Sequence, residues 1–389
     1  MFDAISVGHI CIDLTPDIPA RQNGIADIFV GGKLTNVGAM EFSTGGSVSN
    51  TGIALSRLGL KTPLVGKIGD DMLGGAIADL AQSQGGVTDH LITAPKESSS
   101  YSVVLAIPGV DRIFLHNPGT NDTFEVDDVD FSLIEKARLM HFGYPPLMKR
   151  MFASDGAELV RLFTLAKETG VSTSLDMALP DPSSESGKAD WLSILSKTLP
   201  QTDIFMPSIE EIIYMADRKK YDALKAEDSD ILKNLDIDYI SDLGRRILSM
   251  GCGIVVLKCG TLGYYVKTAS AGRLAKMGRA TPKNMQDWAD RELFSGIYKV
   301  ENFKSATGAG DTSIAGFLAA FLRGHSPEVA VNAACATGAL CVTSYGAVDA
   351  VEPLESVLDR IRAGWKKRDV GYAGSRFVYD DQNDLYQSE

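Results

Sequence analysis

The chain has 389 residues, a formal net charge of −12, and 44% hydrophobic and 23% charged residues. That balance is of a folded globular protein rather than a disordered polyelectrolyte, and it offers no basic footprint for a nucleic-acid backbone or an anionic membrane. The length allows one large α/β domain with an appendage, or two domains; a small-molecule ligand is expected, held by a local site if it is anionic because the global field opposes it.

Along the chain, residues 1–14 lack a basic leader, and Asp3, His9 and Asp13 interrupt the apolar run, so residues 4–12 predict a first β-strand rather than a signal segment. No apolar stretch reaches the roughly 18 to 20 residues of a membrane span. The five cysteines, Cys11, Cys252, Cys259, Cys335 and Cys341, form no CxxC pair. A reduced, cytoplasmic protein is the expectation. Apolar runs at 63–68, 139–142, 171–175, 204–206 and 254–257 alternate with helical patterns at 51–58, 153–168, 208–216 and 240–250. That alternation predicts a parallel sheet covered by helices on both sides.

Two stretches do not fit it. One spans about 14–44 and is rich in Gly and turn residues; the other spans 98–125, in which 101–107 and 112–115 read as a hairpin. Together they predict a small β-sheet lid on the core, with two unrelated surface excursions as the plainer alternative. Segments 217–238 and 270–301 read as insertions, the first a solvated charged one. Residues 376–389 read as a polar C-terminal tail beyond a domain of residues 1–375.

The strongest local signal is Ser305-Ala306-Thr307-Gly308-Ala309-Gly310-Asp311, followed by an amphipathic helix bearing Ile314, Phe317, Leu318, Phe321 and Leu322. Small residues at Gly308, Ala309 and Gly310 let amides point outward at a helix N-terminus, which forms an anion hole. Gly324 and then Ser326-Pro327-Glu328 punctuate the end of that helix and the start of the next. A carboxylate on a phosphate-seeking turn repels the anion the amides attract, unless it serves as a base for an attacking hydroxyl. Asp311 as a plain helix N-cap accounts for this segment equally well. A second cluster, Gly45-Gly46-Ser47-Val48-Ser49-Asn50, precedes a helix ending at Gly59. Paired glycines admit a ligand close to the backbone and Asn50 offers a donor and an acceptor, though a capped helix after a Gly turn reads the same.

Together these segments resemble the two signature regions of the PfkB, or ribokinase-like, carbohydrate kinases. The likeness runs from about residue 5 to 346 through the Gly8–Asp13 opening, the Gly45-Gly46 turn with Leu58-Gly59, Gly69-Asp70-Asp71, Pro207 to Glu211, Lys258-Cys259-Gly260 to Gly263, and Gly308 to Asp311. The resemblance implies a ribokinase-like doubly wound sheet with a β-sheet lid and an ATP- and Mg²⁺-dependent transfer to a sugar hydroxyl, most simply a primary one. It implies that Asp13, Gly45, Gly46 and Asn50 hold the sugar and that Asp311 is the base. Thr307 to Gly310 would cradle the ATP phosphates, Lys258, Gly260 and Gly263 would line the nucleotide site, and Glu211 would organise the metal through water. It implies a homodimer through the lid as well.

Two positions depart from the family pattern. Ser208 stands for the Asn that usually precedes the glutamate by three, and Ser305 for an acid linked to monovalent-cation binding, so potassium activation is not expected. Of the remaining polar residues, His116, Asn117 and Asn121 follow the hairpin and are candidates to touch substrate, against a solvated-loop reading. Arg112 is a candidate carboxylate clamp or a surface charge. Cys335 is a candidate on the nucleotide side or a buried thiol, and Asp176 sits where α/β sheets collect ligands or caps a turn. Neither a Gly-x4-Gly-Lys-Ser/Thr loop nor a Gly-x-Gly-x-x-Gly after the first strand occurs. The rival functions are a nucleoside kinase of the same family and a non-catalytic sugar-binding protein on the same scaffold.

Overall fold

The computed structural model describes residues 1–20, 26, 28, 30–108, 113–368 and 376–388; Arg112 lies outside them. The strands are β1 (Phe2–Gly8), β2 (Cys11–Pro16), β3 (Met40–Gly45), β4 (Leu64–Val65), β5 (Lys67–Gly69), β6 (Ile92–Ala94), β7 (Tyr101–Leu105), β8 (Ile113–Asn117), β9 (Ala137–Gly143), β10 (Ser172–Leu175), β11 (Ile204–Phe205), β12 (Ile254–Lys258), β13 (Tyr264–Thr268), β14 (Glu292–Ser295), β15 (Phe377–Asp380) and β16 (Leu385–Ser388).

Ten of them form one sheet in the order β15-β16-β14-β13-β12-β11-β10-β9-β1-β4. From β4 to β12 every pairing is parallel. Beyond β12 every pairing is antiparallel. The parallel half is buried on both faces, as its unbroken apolar runs require. Along β12 the two-residue period sends Ile254 and Val256 into one hydrophobic core with Ile314 and Phe317, and Val255 and Leu257 into the other with Phe142 and Phe163.

A second sheet, ordered β3-β2-β7-β8, stands beside the first. The hairpin read in the sequence is β7–β8, pairing Tyr101 with Asn117. In its register Asp13 of β2 lies opposite Ser43 of β3 and Ser102 of β7. This is the lid that the two irregular stretches predict, and Phe42, Phe114 and Leu115 on it are exposed.

Three expectations about elements need correction. The run 4–12 is not one strand: Gly8 adopts φ 125, and a Cβ there would lie 2.6 Å from the Gly143 carbonyl oxygen. The chain bends, so β1 joins the large sheet and β2 the lid. Segment 270–301 is more than an insertion, because it contributes β14. The polar stretch 376–389 also joins the fold: β16 pairs Leu293 with Gln387, and the side chains of Phe377 and Leu385 enter the cores. Segment 217–238 does carry a polar helix, Arg218–Glu227, although Tyr221 and Leu224 anchor it.

Candidate functional site

Gly308, at φ 75, is the N-cap of the helix Ala309–Arg323. That left-handed conformation suits glycine, and a Cβ would also collide with Ala347. Asp311 therefore falls inside the first turn and is not the cap. The residue is 3% exposed. It reaches across to the helix Ser47–Arg57, where Asn50 Nδ2 donates to Asp311 Oδ2 at 2.9 Å. The hydroxyl of Tyr144 lies 2.8 Å from both carboxylate oxygens, and Thr51 Oγ1 donates to the Asp311 carbonyl at 3.4 Å. The glycine pair thus does not precede Asn50 as a free turn. Gly46 (φ 87) is itself the cap of the helix, so Asn50 lies on the first turn, and a Cβ on Gly46 would stand 2.6 Å from His9 Nδ1.

Lys258 ends β12 and pairs with Asp176, which follows β10; both side chains are buried. Burial opposes charge on Lys258, but Asp176, Glu211 and Asp311 outweigh it and hold the ammonium above its ordinary range. Burial drives Asp176 up despite Lys258, with Glu211 and Asp311 adding. Asp311 is likewise raised by burial, while Asn50, Lys258 and Tyr144 pull it part of the way back. Carboxylates crowded around one lysine are the electrostatics of a functional cleft.

Glu211 is half-buried, and its carboxyl is raised by desolvation, with Lys258 and the Ser208 bonds opposing. Its Oε2 accepts from the Ser208 amide at 2.6 Å, and Ser208 Oγ accepts from the Glu211 amide at 3.2 Å. Ser208 is thus one half of a capping box on the helix Ile209–Ala216. Among the described residues no cluster of three or more His, Cys, Asp or Glu could cage a metal. The pair Glu211 and Asp176, whose Oδ2 has no partner, fits a hard cation that keeps waters and takes phosphate oxygens.

Two hollows flank the carboxylate. A cavity of about 270 Å³ is lined by Lys258, Gly260, Gly310 and Cys335, with Tyr264 and Arg368. A wider cleft of about 860 Å³ runs from Asp13 and Ser43 on the lid to Ser305 and Thr307 before the Asp311 helix. The lid strands and the residues just before the Asp311 helix therefore share one groove, while Gly45, Gly46, Asn50 and Asp311 lie outside its lining. A Cβ on Gly310 would lie 3.7 Å from Lys258 Cε, an ordinary contact, so packing alone does not demand glycine there. Gly263 has a packing reason: at φ 108 its Cβ would run into the Ser295 carbonyl. Two amides near the anion hole are engaged already, Thr307 N on Ser305 Oγ at 3.1 Å and Ala309 N on the Ala306 carbonyl at 3.2 Å.

Asn121 stands apart from the groove's lining. It is fully buried, and its amide both accepts from Ile10 N at 3.2 Å and donates to Ile10 O at 2.9 Å. Several residues not singled out for the site do surround the carboxylate. His9, 2% exposed, has its ring 5.4 Å from His116 and 6.0 Å from Tyr144. Burial and then His116 lower His9 to about 3; burial and then Lys258 lower His141 to about 3. Both rings are neutral. Both nitrogens of His9, Ser47 Oγ, Asn50 Oδ1 and His141 Nε2 are buried without a hydrogen-bond partner. Gly143-Tyr144-Pro145-Pro146 at the carboxyl end of β9 was the sequence signal for Tyr144, since a glycine and two prolines mark a turn where such sheets bind ligands.

The family model for pfkB family carbohydrate kinases matches residues 1–353. The chain is 27% identical over 297 residues to an uncharacterized sugar kinase of Archaeoglobus fulgidus, covering 76% of this chain and 96% of that protein. It is 26% identical over 367 residues to probable fructokinase-6, chloroplastic, of Arabidopsis thaliana, covering 91% and 80%. Arabidopsis thaliana ribokinase complexed with ribose and ATP matches the fold with a TM-score of 0.66 at 18% identity, over 92% of this chain and 98% of that one.

Proposed function

We propose that this chain, which belongs to the pfkB family of carbohydrate kinases, transfers the γ-phosphoryl group of ATP to a hydroxyl of a sugar or sugar-like alcohol, with Asp311 as general base. The hydroxyl is most simply a primary one. One observation carries the reading: Asn50 and Asp311, 261 residues apart in sequence, meet at 2.9 Å in a buried contact. A hydroxyl held by Asn50 would lie within reach of the carboxylate. Burial that lifts Asp311 makes it a stronger proton acceptor than a surface aspartate. As the oxygen–phosphorus bond forms, the hydroxyl proton passes to Asp311 and the bond to the ADP oxygen breaks.

The remaining roles are those that membership of the family suggests. Asp13, Gly45, Gly46 and Asn50 bind the sugar, and the lid excludes water from it. Lys258, Gly260 and Cys335 flank the nucleotide, Gly263 shapes its turn, and the turn from Thr307 through Gly308, Ala309 and Gly310 receives its phosphates, the Thr307 and Ala309 amides exchanging their present partners to do so. Mg²⁺, when bound, neutralises phosphate charge; Glu211, with Asp176 beside it, would hold it through water. Asn121 positions the bend between β1 and β2 rather than the substrate. The exposed apolar side chains on the lid suit a homodimer through that sheet. No helix among the described residues is long and apolar enough to cross a membrane, and a cytoplasmic location accords with five buried free cysteines.

The test is ADP release with Mg-ATP against D-fructose, D-ribose, 2-keto-3-deoxygluconate and adenosine. Turnover of a sugar supports the proposal. Turnover of adenosine alone replaces it with a nucleoside kinase, and silence with measurable sugar binding makes the chain a binding protein.

A further inference from the structure

Tyr144 follows β9 at φ 66, in the left-handed region that bulky residues seldom occupy. Such strain persists only where the surroundings enforce it. Here the next residues, Pro145–Leu147, form a tight turn, and the Tyr144 hydroxyl lies 2.8 Å from both oxygens of Asp311. An O–H donating to that carboxylate makes the same contact that an acceptor hydroxyl must make with a general base. Asp311 is otherwise enclosed, the residue 3% exposed and its Oδ2 bonded by Asn50. A substrate hydroxyl can therefore reach it only in exchange for the phenol.

We infer that Tyr144 is a positioning residue whose hydroxyl occupies the acceptor-hydroxyl place before the sugar arrives. It keeps water off the base, and the sugar must displace it. The inference rests on the kinase reading of the site and adds a competitor that the reading does not contain. The His9 ring lies beside the phenol, between it and His116 of the lid. The competition costs affinity for sugar and limits ATP hydrolysis without sugar.

Tyr144→Phe removes the hydroxyl and keeps the ring. The expected result is a sugar KM lowered roughly 3- to 10-fold, the range of one exchanged hydrogen bond. Sugar-independent ATP hydrolysis should rise by a similar factor, with KM for ATP unmoved. A merely structural tyrosine would not split the constants in this way. A raised sugar KM, or hydrolysis that stays at the wild-type level, overturns the inference. Wild-type protein carrying 3-fluorotyrosine at position 144 gives a second readout that does not depend on the variant folding. Its ¹⁹F resonance should shift on adding whichever panel compound, D-fructose, D-ribose or 2-keto-3-deoxygluconate, is turned over; an unmoved resonance sinks the exchange. A wild type silent on all three removes the kinase reading and this inference with it, whereas turnover with unaltered Tyr144→Phe kinetics removes the inference alone.

Discussion

Replacing Asp311 with asparagine isolates the proton-accepting step. The change keeps the shape and leaves Asp13, Asn50 and the Gly45-Gly46 turn in place, so sugar KM should stay within a few-fold. What is lost is a buried carboxylate with its Asn50 and Tyr144 bonds. General-base catalysis contributes roughly 10² to 10⁴, which corresponds to about 3 to 5 kcal/mol on the barrier; kcat should fall by that factor. Stability should respond with a definite sign. Burial raises the folded-state pKa of Asp311 above its unfolded value, so its contribution to stability is fully present below the unfolded pKa and is lost as pH rises through the folded one. Removing the charge therefore helps more at about pH 8 than at about pH 4, near the unfolded carboxyl's pKa, and the variant-minus-wild-type difference in Tm should be more positive at the higher pH. Steady-state ADP release and thermal unfolding at the two pH values measure both effects. Near-normal turnover would refute Asp311 as the base, and a Tm difference that grows toward acid would refute the burial argument.

Asn50→Ala should raise sugar KM by about tenfold, one to two hydrogen bonds in value, while KM for ATP holds; an unchanged sugar KM removes Asn50 from the sugar site. Gly308→Ala forces an L-residue to φ 75 and against Ala347, and should destabilise the fold by about 1 to 3 kcal/mol, read as a lower Tm together with a higher KM for ATP. Deleting residues 376–389 strips β16 from β14 and removes Phe377 and Leu385 from the cores. The truncated protein should melt several degrees lower, and an unmoved Tm would mean that the hairpin does not support the sheet.

Much of the parallel half was readable because its signals are local. The run Ile254-Val255-Val256-Leu257 can only be a strand covered on both faces, and Gly308 and Gly324 bracket a helix with left-handed ends. The role of Asp311 was not readable from its own segment, where a helix N-cap accounts for a carboxylate equally well; only the likeness of several ordered motifs to one family singled it out as a base. The misses share one cause, which is that the decisive contact lies far away in sequence. Gly8 splits the first strand because of Gly143, a neighbour the local pattern does not reveal. Polar residues around Phe377 and Leu385 read as a tail because only one side of each strand meets the core. Asn121 read as a candidate to touch substrate or as a solvated-loop residue, because its partner, the Ile10 backbone, lies 111 residues away. Tyr144 gave a turn signal but not its partner 167 residues on.

The idle polar atoms around the carboxylate carry a practical corollary. Both nitrogens of His9, Ser47 Oγ, Asn50 Oδ1, His141 Nε2 and Asp176 Oδ2 have no hydrogen-bond partner within the protein, and leaving such a group unpaired would cost on the order of 1 to 3 kcal/mol. A compound that satisfies even two of them recovers that deficit on docking, and a ligand bound only by the native state lifts the melting temperature in proportion. Dye-based melting curves over a collection of polyols should therefore rank candidates before any turnover assay is built, with the true acceptor standing out from its epimers.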